Sequence, residues 1–401
     1  MSAGSSLVLR GGAVHEGNRL RVRDLVIDGS VIADGARSAT LGEPTVVDVS
    51  GCSVLPGFVD LQVNGAMGVD LTTEPERLDE VAAFLPQTGV TSFMPTVITC
   101  AVGDTLRALD VIATASIPPA AAKSLGVHLE GPFISPQRAG AHPLRHVRPP
   151  SLDEVVGWCA VHRPAMVTLA PELPEALAVI AELVRSNVIV CAGHTAAGPR
   201  ELAVAASAGL SGVTHLFNAM GALSARHPGP AGAVLGGDAP TAALIVGLIA
   251  DGMHVDPVMV RMAWRLLGPE RTALVTDCMA AFGLQCGDYM LGETSVSVGQ
   301  HGARTKNGVL AGSVLAMDEA VRNLMAFTGC DLATATVAAS STPSRLARRA
   351  DIGRLSIGCA ADVVVLDDAG RVLITIVAGT VAFDPSGRCE AVRARGSSWK
   401  S

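Results

Sequence analysis

Between residues 58 and 277 short apolar runs alternate with longer stretches of helical periodicity. Eight of the runs, at 58–62, 92–96, 126–130, 166–170, 188–191, 212–215, 243–249 and 272–277, have the length and Val, Leu and Ile content of buried parallel strands. Between them LDEVAAFLPQTG, LPEALAVIAELVRSN and PRELAVAASAGL carry helix-like periodicity and end near Gly or Asn, as helices do. Eight strand–helix units predict a TIM-type barrel. Residues 7–55 differ: SLVLRGG, RVRDLVIDGSVIADG and TVVDVSGCSVLPG alternate over short spans with Gly and Asp turns, the pattern of small antiparallel strands. That pattern returns from Ala360 in ADVVVLDD and RVLITIVAGTVAF. Neither terminal piece has enough strand to bury a face alone, so the two are expected to join. The expected fold is therefore α/β: a distorted TIM (β/α)8 barrel over 56–358, with a small β-sandwich domain formed by both chain ends, 1–55 and 359–388. Residues 389–401 read as a disordered tail.

Chemistry in such a barrel gathers at the C-terminal ends of its strands. Gln62, Asn64, Thr96, Glu130, Glu172, His194, His215, Asp251 with His254, and Asp277 all fall there. A lone histidine beside a strand is usually a hydrogen-bonded core residue. Two histidines and a glutamate at strand ends form a ligand set instead. Glu130 offers an anionic oxygen and His194 and His215 offer imidazole nitrogens, which suits Zn²⁺ or a similar divalent ion with one position left open. Such an ion makes water a nucleophile near neutral pH. Asp277 would then carry protons and not bind the ion; a carboxylate capping the next helix is its competing reading.

Composition narrows the partners. Aromatic residues are 3% of the 401, net charge is -7, and there is no basic run, so a nucleic-acid footprint is excluded. The nine cysteines show no C-x-x-C spacing and read as reduced thiols. The longest apolar stretch, TAALIVGLIA, stops at Asp251 and is strand-sized, and no membrane span or secretory leader is recognisable, so the expected location is the cytoplasm.

The segments LPGFVDLQVNGAMGVD, GVHLEGPFISPQRAGAH, CAGHTAA, THLFNAMGALSARHPGPAGAVL, IADGMHVDP, LVTDCMAA and LAGSVLAMDEAVRNL, in order from Pro56 to the region of Gly358, resemble the N-acetylglucosamine-6-phosphate deacetylase family of the amidohydrolase superfamily. HLEGPF and HLFNAM are specific to it, whereas PGFVD or GHT alone would be weak. The resemblance implies that Glu130, His194 and His215 hold the metal and that Asp277 is the acid/base. It implies sugar-phosphate contacts from Ala141, His142, Asn218, Ala219, Arg226, Asp251, Gly252, Met253 and His254, and from Leu310, Ala311 and Gly312. The implied substrate is a small amino-sugar phosphate whose acetamide is hydrolysed, and the implied assembly is a homodimer in which Arg226 reaches the neighbouring active site. A surface role for Arg226 is the alternative.

Where many amidohydrolases carry H-x-H after the first strand, this chain has Gln62-Val63-Asn64. Neutral amides are poor ligands for a second transition metal, so one divalent ion per subunit is expected, Zn²⁺ first, with Fe²⁺, Mn²⁺ or Co²⁺ also fitting. The two amides could also simply hydrogen-bond in the barrel mouth. Other readings stay open: the galacto epimer as substrate, or a scaffold that has lost its metal. Glu172 could support the site or cap a helix, Cys278 and Cys286 read as incidental thiols, and His128 as a packing residue.

Overall fold

The computed structural model describes residues 6–34 and 44–389. The expected tail lies outside the described residues except for Cys389.

All eight expected barrel strands form: Phe58–Val63, Val90–Ile98, His128–Glu130, Met166–Leu169, Ile189–Ala192, Gly212–Val213, Ile245–Leu248 and Thr272–Leu274. They pair in parallel in that order. Their side chains are buried nearly throughout, because helices cover one face and the barrel interior the other. The intervening helices bury the faces that their spacing marks. In Ala176–Arg185 these are Ala176, Val179, Ile180 and Leu183. The helix expected across LDEVAAFLPQTG is α-helical only over Leu78–Phe84 and tightens to a 3-10 turn at Leu85–Thr88. Pro86 in that turn has no N–H to continue the α pattern.

The barrel is distorted at its seam. No regular ladder joins the first and eighth strands. Asp60 bridges them instead, its Oδ1 accepting from Thr276 N (3.2 Å) and its Oδ2 from Thr276 Oγ1 (2.5 Å). Above it Asn64 N donates to Cys278 O at 2.8 Å. The seam therefore lies between the residues leading to Asn64 and those leading to Asp277.

The chain ends build one eight-stranded sheet, in which Ser53–Pro56 pairs antiparallel with Val363–Leu366 and so ties the two termini together. The long strand Ser6–His15 changes partner at a bulge between Leu9 and Gly12, from Thr45–Asp48 to Ser53–Pro56, both parallel to it. The purely antiparallel expectation misses this switch. Both halves share one apolar cluster, including Leu9, Ile27, Val54, Val365 and Ile376, separate from the barrel core.

A small sheet at the barrel mouth had no counterpart among the expected strands. After the eighth strand, Gly287–Leu291, Thr294–Gly299 and Gly302–Thr305 form a small antiparallel sheet. Its Leu291, Val296 and Ala303 pack with Ile98, Met279 and Ala311, which brings the sheet against the barrel mouth.

Candidate metal centre and active-site cavity

Glu130 ends the third strand, His194 lies two residues past the fifth, and His215 two past the sixth. Parallel strands of a barrel end at one rim, so the three side chains converge. Their potential ligand atoms lie within 4.8 Å of one another, and all three residues are buried. Glu130 Oε1 is 2.9 Å from His215 Nε2 and 3.3 Å from His194 Nε2, and the two imidazole nitrogens are 3.2 Å apart. His194 Nδ1 donates to Arg138 O at 2.9 Å, which leaves its Nε2 with a lone pair. Two imidazole nitrogens and a carboxylate oxygen crowded together in a buried site are the donor set of a cation. The residues present therefore fit a divalent ion.

The backbone that presents these groups is unusual. His194, His215 and Asp277 have positive φ (48°, 29° and 51°), as do Phe217 and Ala219 (76° and 49°). Left-handed backbone at non-glycine residues is disfavoured and persists where surrounding contacts over-determine it, often at functional sites.

Electrostatics separate the two carboxylates. Burial alone would raise Glu130, but hydrogen bonds with His142, His194 and His215 outweigh it and hold the carboxyl well below its usual range. Asp277 is pushed up to about 6 by burial and by the charge of Glu130, with Asn64 pulling the other way. Burial lowers His142 to about 4, with His194 adding to the effect, so its imidazole is neutral near pH 7.

Gln62 and Asn64 take the hydrogen-bonding role. Gln62 Nε2 donates to Glu130 Oε1 at 2.9 Å, and Asn64 Nδ2 donates to Asp277 Oδ1 at 2.7 Å. Each amide orients one carboxylate of the site. His142 Nδ1 is 2.8 Å from Thr99 Oγ1, and its Nε2 is 3.5 Å from Glu130 Oε2. His128, one layer deeper, bridges Leu61 O and Thr168 Oγ1 at 3.1 and 2.8 Å. It is a buried polar cross-tie more than a packing residue.

Asn64, Glu130, His142, His194, His215 and Asp277 line a cavity of about 270 Å³, just below the usual range for small-molecule sites. Of the expected substrate contacts, Ala141, His142, Asn218, Ala219, His254, Leu310, Ala311 and Gly312 line it. Asp251, Gly252 and Met253 do not. Asp251 instead orients His254, accepting from its Nδ1 at 2.6 Å. Met253 is half exposed, and Gly252 turns the loop with φ 74°. Arg226 sits in an exposed loop and is not among the residues lining its own chain's cavity. Sequence reasoning missed Ile98, Phe217, Leu291 and Val309, which supply apolar wall. Ile98 was in principle findable, because it pairs in register with Glu130 on the neighbouring strand.

A parallel eight-stranded barrel with a Glu/His/His cluster and a separate aspartate at its rim defines a metal-dependent hydrolase of the amidohydrolase class. Residues 53–382 match the model of the amidohydrolase family. The N-acetylglucosamine-6-phosphate deacetylase of Bacillus subtilis is 36% identical over 341 residues, 82% of this chain and 84% of that protein. The Bos taurus enzyme is 36% identical over 394 residues, 94% of each. Among solved structures, a mutant N-acetyl-D-glucosamine-6-phosphate deacetylase from Mycobacterium smegmatis, in complex with N-acetyl-D-glucosamine 6-phosphate, matches with TM-score 0.84 and 31% identity, covering 95% of this chain and 100% of that one. The chain belongs to the N-acetylglucosamine-6-phosphate deacetylase family within the amidohydrolases.

Proposed function

We propose that this protein hydrolyses the acetamide of N-acetyl-D-glucosamine 6-phosphate to D-glucosamine 6-phosphate and acetate, as a step of amino-sugar metabolism. The observation that carries this reading is the convergence of Glu130, His194 and His215 beside an Asn64-held Asp277 in one cavity, in a chain of this family. The Mycobacterium smegmatis relative was solved with that sugar phosphate bound, which supports the same substrate here.

Glu130, His194 and His215 would hold one divalent ion, Zn²⁺ in the first instance. When bound, it supplies Lewis-acid polarisation of the amide carbonyl and an acidified water. Asp277 takes the proton of the attacking water and returns it to the departing nitrogen, so one carboxyl serves both halves of the reaction. Burial favours the protonated form of that carboxyl, which helps it hold the proton between the two halves. Asn64 fixes which way that carboxyl faces. His142, neutral and tied to Thr99, and His254, tied to Asp251, orient the sugar; their contribution is placement more than acidity. With Gln62 and Asn64 engaged with the carboxylates, no second metal is needed, which supports a single ion.

Arg226 is assigned to the substrate phosphate of a neighbouring subunit in a homodimer. Its exposure, and its absence from its own cavity lining, support a contact made in trans. We assign the protein to the cytoplasm, in keeping with nine cysteines that show no C-x-x-C spacing.

The test is a substrate panel: N-acetylglucosamine 6-phosphate, its galacto epimer, and both sugars without phosphate. Preference for the gluco phosphate supports the reading; preference for the galacto epimer or an unphosphorylated sugar replaces the substrate.

A further inference from the structure

Glu172 lies just past the fourth barrel strand and does not line the cavity, yet its side chain reaches the loop that carries His194. Its Oε1 accepts from Ala196 N at 2.6 Å, and its Oε2 accepts from Thr195 Oγ1. Thr195 is fully buried, and its Oγ1 in turn accepts from Ala197 N at 2.9 Å. The carboxylate thus grips the two residues after His194 at once, by one backbone and one side-chain donor.

That grip matters because of the conformation next to it. His194 has φ 48°, a left-handed backbone that is uncommon at a non-glycine residue. The loop is fixed on other sides by Ser135 N to His194 O (2.9 Å) and by Thr195 N to Ala219 O (3.2 Å). Both of those partners lie on loops of the site itself. Glu172, from the segment after the fourth strand, is the one charged acceptor among these anchors, which makes its bond to Ala196 N the stronger kind.

We propose that Glu172 is a positioning residue for the metal centre, holding Thr195 and Ala196 so that His194 Nε2 stays turned toward Glu130 and His215. It acts through the backbone of His194 and touches neither substrate nor reacting atoms. The inference rests on the reading of Glu130, His194 and His215 as a metal site.

The test compares Glu172→Ala, Glu172→Gln and Thr195→Val with the unaltered protein, by titrating metal-free protein with Co²⁺ against a chromophoric chelator and recording the Co²⁺ d–d absorption. Glu172→Ala is expected to weaken Co²⁺ affinity roughly 10- to 100-fold, the usual effect of losing an outer support of a ligand. KM for N-acetylglucosamine 6-phosphate at saturating metal should be unchanged. Glu172→Gln keeps an acceptor for Ala196 N and can donate to Thr195 Oγ1, so its affinity should stay within about threefold. Thr195→Val removes one of the two Glu172 contacts in a near-isosteric way, together with the acceptor for Ala197 N, should fall between these two, and carries the test if the alanine variant does not fold. Affinity in the foldable variants equal to that of the unaltered protein overturns the proposal, as does an equal loss in the Gln and Ala variants. Failure of the unaltered protein to bind Co²⁺ would instead overturn the metal-site reading itself.

Discussion

Asp60 gives the barrel seam a calculable pH dependence. Its carboxyl is fully buried, and burial raises it to about 7, although hydrogen bonds from Thr276 and Gln62 N pull it down. An unfolded aspartate titrates near 3.9, so the folded protein holds this proton more tightly than the unfolded chain does. Stability from this group is therefore fully present below about pH 4, falls as pH rises toward about 7, and is flat above that, because only the folded state still binds the proton in the window. Between about pH 5 and pH 8 the loss amounts to roughly 2 to 3 kcal/mol. The substitution that isolates it is Asp60→Asn. The asparagine oxygen still accepts from Gln62 N and Thr276 N, and its amide donates to Thr276 Oγ1, whose own proton turns to Gln62 O at 3.4 Å. Any offset from the spare amide N–H does not depend on pH. Urea unfolding of both proteins at equal metal load, from about pH 5 to pH 8, should show the variant gaining roughly 2 to 3 kcal/mol relative to the parent. Parallel stability curves across that range would refute a neutral, buried carboxyl at the seam.

Asp277→Asn keeps the shape of the side chain but cannot carry the proton, so kcat should fall by roughly 10²- to 10⁴-fold while metal content and KM stay near the parent values; near-parental turnover would remove Asp277 from the mechanism. Gln62→Ala deletes the donor to Glu130 Oε1, and metal affinity measured by chelator competition should drop roughly tenfold, an unchanged affinity making that bond incidental. Mixing Arg226→Ala with Asp277→Asn subunits under exchange conditions should restore about a quarter of the parent activity, since half the dimers are mixed and each has one complete site if Arg226 acts in trans. No recovery on mixing would return Arg226 to its own subunit or to the surface.

Burial on two faces left the clearest mark on the sequence. Each barrel strand is a run of apolar residues that is recognisable without knowledge of its partner, and a polar residue just past such a run is conspicuous. That is why Glu130, His194, His215 and Asp277 could be picked out before their convergence was seen. The features that stayed hidden depend on partners distant in the chain. Gln62 and Asn64 stood out at a strand end and as a departure from H-x-H, but not by their partners, because their acceptors lie 68 and 213 residues away. Asp60 drew no notice, since an aspartate in a strand gains meaning only from Thr276 across the seam, 216 residues on. The small sheet at Gly287–Thr305 escaped because short strands with exposed faces alternate too weakly to stand out from turns. Its Leu291 nonetheless lines the cavity. The substrate contacts came from motif resemblance, and geometry sorts them: His254 faces the cavity, while Asp251 acts by holding it.

Acetate release from N-acetylglucosamine 6-phosphate, with metal content determined on the same purified sample before and after chelation, tests the central claim most directly. The account predicts rapid release with about one ion per chain, loss on chelation, and recovery when Zn²⁺ or Co²⁺ is restored. No release from a protein that holds its full complement of metal would contradict it.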